Sequence, residues 1–167
     1  MLYSSFRNKL KWCIAGLVLV LPGAFFGAHA QVAPEFDMSD TTVTVCEGIL
    51  YDSGGIDNIY SNNENTTFVI NTGGIITITF FGQFCVENGL DFLYVYDGPN
   101  DTFPLLGVFT GNTLPPTLIA NSGAVTIVLT SDPTVAYCGF SLSWETEQQF
   151  LFPQRYLWMK FPPATPG

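Results

Sequence analysis

Residues 92–99, with the sequence FLYVYDGP, show most clearly how this chain folds. Aromatic and aliphatic side chains fill positions 92–96, a composition that favours a β-strand. Asp97, Gly98 and Pro99 follow at once and form a strong turn signal. The stretch therefore predicts a short strand that ends in a tight turn.

The same succession of strand and turn continues on both sides of this stretch. Further short strands are predicted at 42–45, 67–70, 75–80, 105–109, 117–120, 124–130 and 140–144. Turn clusters such as Asn121-Ser122-Gly123 separate them, and no segment has a convincing amphipathic helical pattern. Many short strands without helices predict an all-β fold, an antiparallel two-sheet β-sandwich or jelly roll.

The chain is acidic, and its charges are unevenly distributed. Residues 31–154 contain all 14 Asp and Glu of the chain and no Lys, Arg or His. Buried or clustered acids in such a domain must be hydrogen-bonded, protonated or neutralised by a metal ion, because no internal cation can pair with them. The negative charge disfavours nucleic acid and anionic membranes, and it favours calcium or a basic partner. Solubility alone would also explain most of these acids.

The first 30 residues are predicted to be a secretory signal peptide. Three positive charges precede a short apolar run at 13–21, and an A-x-A cleavage motif ends at Ala30. Pro22 breaks the run before it could comfortably span a bilayer, so we expect a secreted, extracellular protein without membrane insertion. Cleavage before Gln31 would leave 14 acids and two basic residues, a net charge of −12.

The side chains that remain after cleavage limit the possible chemistry. Without histidine, Ser-His-Asp, Cys-His and His-zinc mechanisms are excluded, and we expect no enzymatic activity. Cys46, Cys85 and Cys138 remain, and in an oxidising compartment one pair plus one leftover cysteine, or an intermolecular bond, is expected. Their spacing does not show which two pair.

An ordered set of motifs extends from Cys46 to Trp144. Its parts are Gly54-Gly55, Asn58 to Asn63, the strand at 76–84, DFLYVYDG at 91–98, Leu105-Leu106-Gly107 with Gly111, and Ser131-Asp132 followed by Gly139-Phe140. In this order the motifs resemble a CUB domain, a β-sandwich module of extracellular proteins. The segment from Tyr51 to Asn65 is similar to bacterial versions of the module. Each motif alone is common, but the ordered set is specific.

The resemblance divides the chain into segments and implies a jelly-roll-like CUB fold. After the signal peptide at 1–30, residues 31–45 form a lead-in segment, 46–146 the CUB domain and 147–167 a C-terminal tail. The tail is rich in aromatic residues and proline and carries both basic residues of the mature chain. We expect it to be a linker or a truncated end, so the parent protein would contain additional domains.

The resemblance also implies a calcium site at one end of the sandwich. In calcium-binding members of the family, a Glu and an Asp from one loop and an Asp from the last loop hold the ion. The matching residues are Glu87, Asp91 and Asp132, and the backbone carbonyl of Thr134 is a candidate further ligand. Calcium takes about six to eight oxygen ligands, so carbonyls and water would complete the shell.

Other residues are expected to have supporting roles. Tyr60 resembles a tyrosine that supports the site in relatives, although rim packing is an equally good explanation. Asn88 is expected to bind through its side-chain carbonyl if Glu87 does not. Asp52 and Asp57, on the glycine-rich opening loop, are interpreted as turn residues.

The cysteines depart from the pattern of animal CUB domains, which usually have two disulfides. The partner that Cys46 would need is missing, and a cysteine stands directly before Gly139 instead. If the fold is as the resemblance implies, the loops that contain Cys85 and Cys138 emerge at the same end. We therefore expect a Cys85–Cys138 disulfide, with Cys46 unpaired or bonded to another chain.

These expectations predict a non-catalytic extracellular recognition module. It would bind a basic protein group or a polar glycan, in a Ca²⁺-dependent way, at one end of the sandwich. One alternative is a structural or adhesin fragment of a larger secreted protein. Another is a glycoside hydrolase that uses Glu87 with Asp91 or Asp132 as its carboxylate pair.

Overall fold

The computed structural model describes residues 32–147, which form two five-stranded sheets and contain no helix. The strands are β1 (Glu35–Asp37), β2 (Thr41–Val43), β3 (Glu47–Tyr51), β4 (Asn65–Asn71), β5 (Ile75–Cys85), β6 (Phe92–Tyr96), β7 (Leu105–Phe109), β8 (Leu118–Ala120), β9 (Ala124–Thr130) and β10 (Gly139–Glu147). The expected signal peptide, and the expected tail beyond residue 147, lie outside the described residues. Within residues 32–147, no helix is long and apolar enough to span a bilayer.

The two sheets confirm the predicted all-β sandwich. One sheet has the order β1-β3-β10-β5-β8 and the other the order β2-β4-β9-β6-β7. Most neighbouring strands are antiparallel, but β1 pairs with β3 and β2 with β4 in parallel, so both sheets are mixed. The segment expected as a lead-in, 31–45, thus contributes one edge strand to each sheet.

Side-chain alternation explains why the two sheets pack face to face. Along β6, Leu93 and Val95 are fully buried, whereas the side chains on either side of them remain partly exposed. Between the two sheets, the Trp144 ring of β10 lies 5.6 Å from that of Phe36 in β1 and 6.1 Å from that of Phe68 in β4. The Trp144 indole N–H donates to the Val45 carbonyl at 3.0 Å, which satisfies its only polar group.

Two strands, β1 and β3, were not predicted from the sequence. Strand β1 has only three residues, and two of them, Glu35 and Asp37, have low strand propensity. Strand β3 contains Gly48, and a glycine inside a strand normally weakens it. A Cβ at Gly48 would lie 2.3 Å from the Trp144 ring, so tertiary packing requires a glycine at this position.

The topology collects the connecting loops at one end of the sandwich. β5 and β9 end there, and their antiparallel neighbours β10 and β6 begin there. Cys85 and Cys138 lie at this end with their Cα atoms 5.4 Å apart, and they form the predicted disulfide. Cys46 is also disulfide-bonded, so the expectation that it is unpaired is wrong for this structure.

Candidate metal centre

The three predicted acidic ligands converge at this end of the sandwich. Glu87 follows β5, Asp91 directly precedes β6, and Asp132 follows β9. One carboxylate oxygen from each lies within 4.8 Å of the others, so the three residues are spaced to hold one ion. We call them the carboxylate cluster.

Asp91 is the buried centre of the carboxylate cluster. Its residue is 0% exposed, and both carboxylate oxygens accept hydrogen bonds. Oδ2 accepts from the hydroxyl of Tyr60, and Oδ1 accepts from the backbone N–H of Asp132 at 2.8 Å. Asp91 therefore joins the last loop to the start of β6 and sets the position of Asp132.

Tyr60 connects the opening loop to the carboxylate cluster. Its side chain is buried, and its hydroxyl accepts from the backbone N–H of Glu87 at 3.1 Å while it donates to Asp91. Burial, followed by the hydrogen bond to Asp91, raises the pKa of Tyr60 well above its ordinary value. The hydroxyl therefore keeps its proton and acts as a fixed donor to Asp91.

A compact turn holds Glu87 against Asp91. The Glu87 carbonyl accepts from the Asp91 N–H at 3.0 Å and from the Thr110 hydroxyl at 2.9 Å. The same hydroxyl accepts from the N–H of Gly89, whose φ of +76° suits glycine. Sequence reasoning missed Thr110, because only the fold brings the end of β7 next to this turn.

Asp132 is oriented by its own loop. Its Oδ1 accepts from both the backbone N–H and the hydroxyl of Thr134, each at 2.8 Å. These two hydrogen bonds lower the pKa of Asp132 and keep it charged.

The candidate ligand oxygens of Thr134 and Asn88 contact groups outside the carboxylate cluster. The carbonyl of Thr134, expected as a ligand, accepts from the Asn62 side-chain amide at 2.9 Å. Asn62 thereby connects the opening loop to the last loop, a role that the sequence did not indicate. Asn88 is exposed, and its side-chain oxygen lies over Gly111.

The electrostatics of the carboxylate cluster suit a hard cation. Glu87 Oε2 is buried and has no hydrogen-bond partner. Burial, and then the negative charges of Asp132 and Asp91, raise the pKa of Glu87. Since residues 32–147 contain no Lys, Arg or His, no basic side chain within this part of the chain can neutralise the cluster. Three carboxylates with an unpartnered buried oxygen fit Ca²⁺, which prefers oxygen ligands in flexible geometry.

A second buried acid, Asp52, lies where β3 leads into the opening loop. The sequence predicts that Asp52 is a turn residue, and its Oδ1 does accept from the Gly54 N–H at 2.8 Å. However, Asp52 is only 2% exposed, and Oδ2 also accepts from the Phe140 N–H at 3.2 Å. A Cβ at Gly139, where φ is +74°, would lie 1.9 Å from this oxygen, so the Gly139-Phe140 motif makes room for a buried carboxylate.

Asp52 predicts an unusual pH dependence of stability. Burial, with a contribution from the charge of Glu64, raises the pKa of Asp52 to about 6. The folded state therefore binds this proton more tightly than the unfolded state does. As a result, the Asp52 proton stabilises the folded state at about pH 4, and this contribution is lost as the pH rises through 6. The free energy of unfolding should fall by at most roughly 3 kcal/mol from this cause. In urea unfolding with EGTA from pH 4 to 7, Asp52→Asn should become more stable relative to the wild type as the pH rises. A constant difference between the two proteins would contradict the assignment.

Comparison with known proteins places this chain in a family. A family model for the CUB domain matches residues 40–144. Cubilin from Rattus norvegicus is 32% identical over an alignment of 108 residues, which covers 62% of this chain and 3% of cubilin. Neuropilin-2 from Rattus norvegicus is 31% identical over an alignment of 99 residues, which covers 56% of this chain and 11% of that protein. The chain thus spans a small part of these relatives.

Solved structures have the same fold. The crystal structure of the MASP-1 CUB2 domain bound to Ca²⁺ matches with a TM-score of 0.57 and 22% identity, covering 65% of this chain and 99% of that domain. The full extracellular region of zebrafish Gpr126/Adgrg6 matches with a TM-score of 0.55 and 23% identity, over 65% of this chain and 14% of that one. The matched family, the two mixed sheets and the ordered motifs agree, and the chain belongs to the CUB domain family.

Proposed function

We propose that this domain is a non-catalytic extracellular recognition module that binds Ca²⁺ through Glu87, Asp91 and Asp132. The observation that carries the proposal is the buried, unpartnered Oε2 of Glu87 within the carboxylate cluster. A carboxylate oxygen removed from water without a partner costs free energy, and a bound cation would remove that cost. The Ca²⁺ bound by the MASP-1 CUB2 domain, a structural neighbour, supports the same reading.

Bound Ca²⁺ would supply positive charge at the point where the three loops meet. Glu87, Asp91 and Asp132 would hold it, and Tyr60 would continue to orient Asp91 through its hydroxyl. Three carboxylates leave the occupied site with a residual negative charge, because the ion neutralises two of them. This end of the domain would therefore attract a basic group on a partner protein, or polar groups of a glycan. The extracellular location is supported by the predicted signal peptide and by the solved extracellular region of a neighbour.

The calcium proposal predicts a stabilisation that depends on Asp132. Adding CaCl₂ to protein freed of metal with EGTA should raise the melting temperature. A free concentration of about 100 times the dissociation constant corresponds to about 2.7 kcal/mol. Asp132→Asn should remove this effect, because it replaces one carboxylate of the carboxylate cluster with a neutral amide.

A matched control separates ion binding from charge screening. Asp101→Asn removes one charge from an exposed loop that follows the far end of β6, and it should keep the full response to calcium. Potassium chloride at equal ionic strength gives the contribution of charge screening alone, and calcium should raise the wild-type melting temperature clearly more than this salt does. Equal wild-type melting temperatures with and without calcium would contradict the proposal.

A further inference from the structure

The sheet β2-β4-β9-β6-β7 is built from strands that contain no charged residue. In the other sheet, by contrast, β1 and β10 each contain two acids and β3 contains one. We call the outer surface of the uncharged sheet the neutral face. Asp40 and Asp101 lie on loops beside it. The negative charge of the domain would repel an anionic ligand, so the neutral face suits an uncharged one.

Three aromatic side chains form a row along β6 on the neutral face. Leu93 and Val95 belong to the core, so the alternate residues Phe92, Tyr94 and Tyr96 face outward and are partly exposed. The ring centroids of Phe92 and Tyr94 are 5.9 Å apart, and those of Tyr94 and Tyr96 are 6.4 Å apart with nearly parallel planes. We call Phe92, Tyr94 and Tyr96 the aromatic row.

A shallow depression with polar side chains lies on the same face. We call it the polar groove, and it is lined by Asp40, Thr41, Thr42, Asn65, Thr67 and Val69. Thr42 and Asn65 are exposed, and within residues 32–147 their side chains form no hydrogen bond. Oδ1 of Asp40 accepts from the Thr67 N–H at 2.8 Å, which fixes this carboxylate at the edge of the groove. The groove therefore presents hydroxyl, amide and carboxylate groups that are available to a ligand.

Strand β9 joins the polar groove to the aromatic row. It pairs with β4 on one side and with β6 on the other, so that Val128 lies between Thr67 and Tyr94. Since neighbouring strands are just under 5 Å apart, the groove and the row are separated by about 10 Å. A ligand of several linked units can contact both.

The combination of groups on the neutral face distinguishes between classes of ligand. A sugar ring presents C–H groups, which pack on the negative face of an aromatic ring, and hydroxyl groups, which bind to amides, hydroxyls and carboxylates. An apolar protein surface could cover the aromatic row, but it would leave the amide and hydroxyl groups of the polar groove without hydrogen bonds.

We propose that the neutral face binds a neutral polysaccharide, with sugar rings stacked on the aromatic row and sugar hydroxyls bound in the polar groove. The aromatic row begins at Phe92, next to Asp91, and runs away from the carboxylate cluster to Tyr96. The site uses no residue of the carboxylate cluster, so its binding requires no metal ion.

Affinity electrophoresis with EGTA present tests the proposal. Native gels contain amylose, mannan or hydroxyethyl cellulose as neutral probes and alginate as an anionic one. At least one neutral polysaccharide should retard the wild type, and alginate should not. Tyr94→Ala should weaken binding to that polysaccharide about tenfold, whereas Tyr94→Phe should stay within about twofold because the ring remains. Asn65→Ala, at an exposed position where folding is not affected, should weaken it about fivefold.

Phe81 provides the matched control for the aromatic row. Its side chain is 38% exposed on β5 of the other sheet, so Phe81→Ala should bind like the wild type. Asp132→Asn should also keep full polysaccharide binding although it loses the response to calcium, which separates this site from the proposed metal site.

Four results would overturn the proposal. They are a wild type that none of the three neutral polysaccharides retards, retardation that requires calcium, unchanged binding by both Tyr94→Ala and Asn65→Ala, and preferential binding of alginate. Sedimentation velocity tests the competing occupant. Wild-type dimers that become monomers in Tyr94→Ala would show that a second copy of the chain covers the neutral face instead.

Discussion

Asp91→Ala is expected to unfold about 3 kcal/mol more easily than the wild type in calcium-free urea titrations. The substitution leaves the buried Tyr60 hydroxyl and the Asp132 N–H without the acceptor that both use. The same variant should show no stabilisation by calcium, because the buried centre of the carboxylate cluster is gone. Both effects have one cause: a single carboxylate joins the loops and faces the proposed ion.

Two further variants make this prediction specific. Tyr60→Phe removes one hydrogen bond to Asp91 but keeps the carboxylate, so it should cost roughly 1–2 kcal/mol and retain a response to calcium. Asp101→Ala, at an exposed position, should stay within about 0.5 kcal/mol of the wild type. If Asp91→Ala unfolded at the wild-type urea concentration, the buried network would not stabilise this end of the sandwich.

The second large effect is expected from the Cys85–Cys138 disulfide. Replacing both cysteines with serine should reduce the free energy of unfolding by about 4 kcal/mol, because the bond closes a loop across a sequence separation of 53 residues. The bond also joins the loop of Glu87 to the loop of Asp132. Its removal should weaken calcium binding by about tenfold, since both loops would have to be ordered when the ion binds.

Single variants are the internal control for the disulfide. Cys85→Ser and Cys138→Ser break the same bond, so each should be destabilised as much as the double variant in urea unfolding. A double variant as stable as the wild type would show that the bond does not restrict the unfolded chain. Unchanged calcium affinity with reduced stability would show that the loops are positioned by Asp91 and Tyr60 alone.

Local patterns in the sequence predicted much of the fold. The bounds of β6, β7 and β9 agree with the predicted strands at 92–96, 105–109 and 124–130. These strands combine β-forming residues with clear turn signals at their ends, so local propensity and tertiary packing agree. Tertiary packing overrides local propensity in β3, where Gly48 accommodates Trp144.

The residues proposed as metal ligands came from an ordered motif, but the groups that support them did not. The Asp91 carboxylate can be buried because it accepts hydrogen bonds from Tyr60 and Asp132, which are 31 and 41 positions away in sequence. Thr110 and Asn62 have comparable supporting roles through hydrogen bonds to Glu87 and Thr134. Spacing along the chain contains no signal for such contacts, since each depends on two sheets packed in one register.

The sequence by itself determined the sign of the charge, the absence of basic side chains from residues 31–154 and the strand pattern of the sandwich. Only the tertiary structure decided what each acid does, as Asp52 and Asp97 show. Both lie in glycine-containing turns, yet burial raises the pKa of Asp52 to about 6. Burial also acts to raise the pKa of Asp97, but hydrogen bonds from Ser122 and Asn121 lower it. The physical reason is that solvation and hydrogen bonding of a carboxylate depend on residues that only folding brings to it.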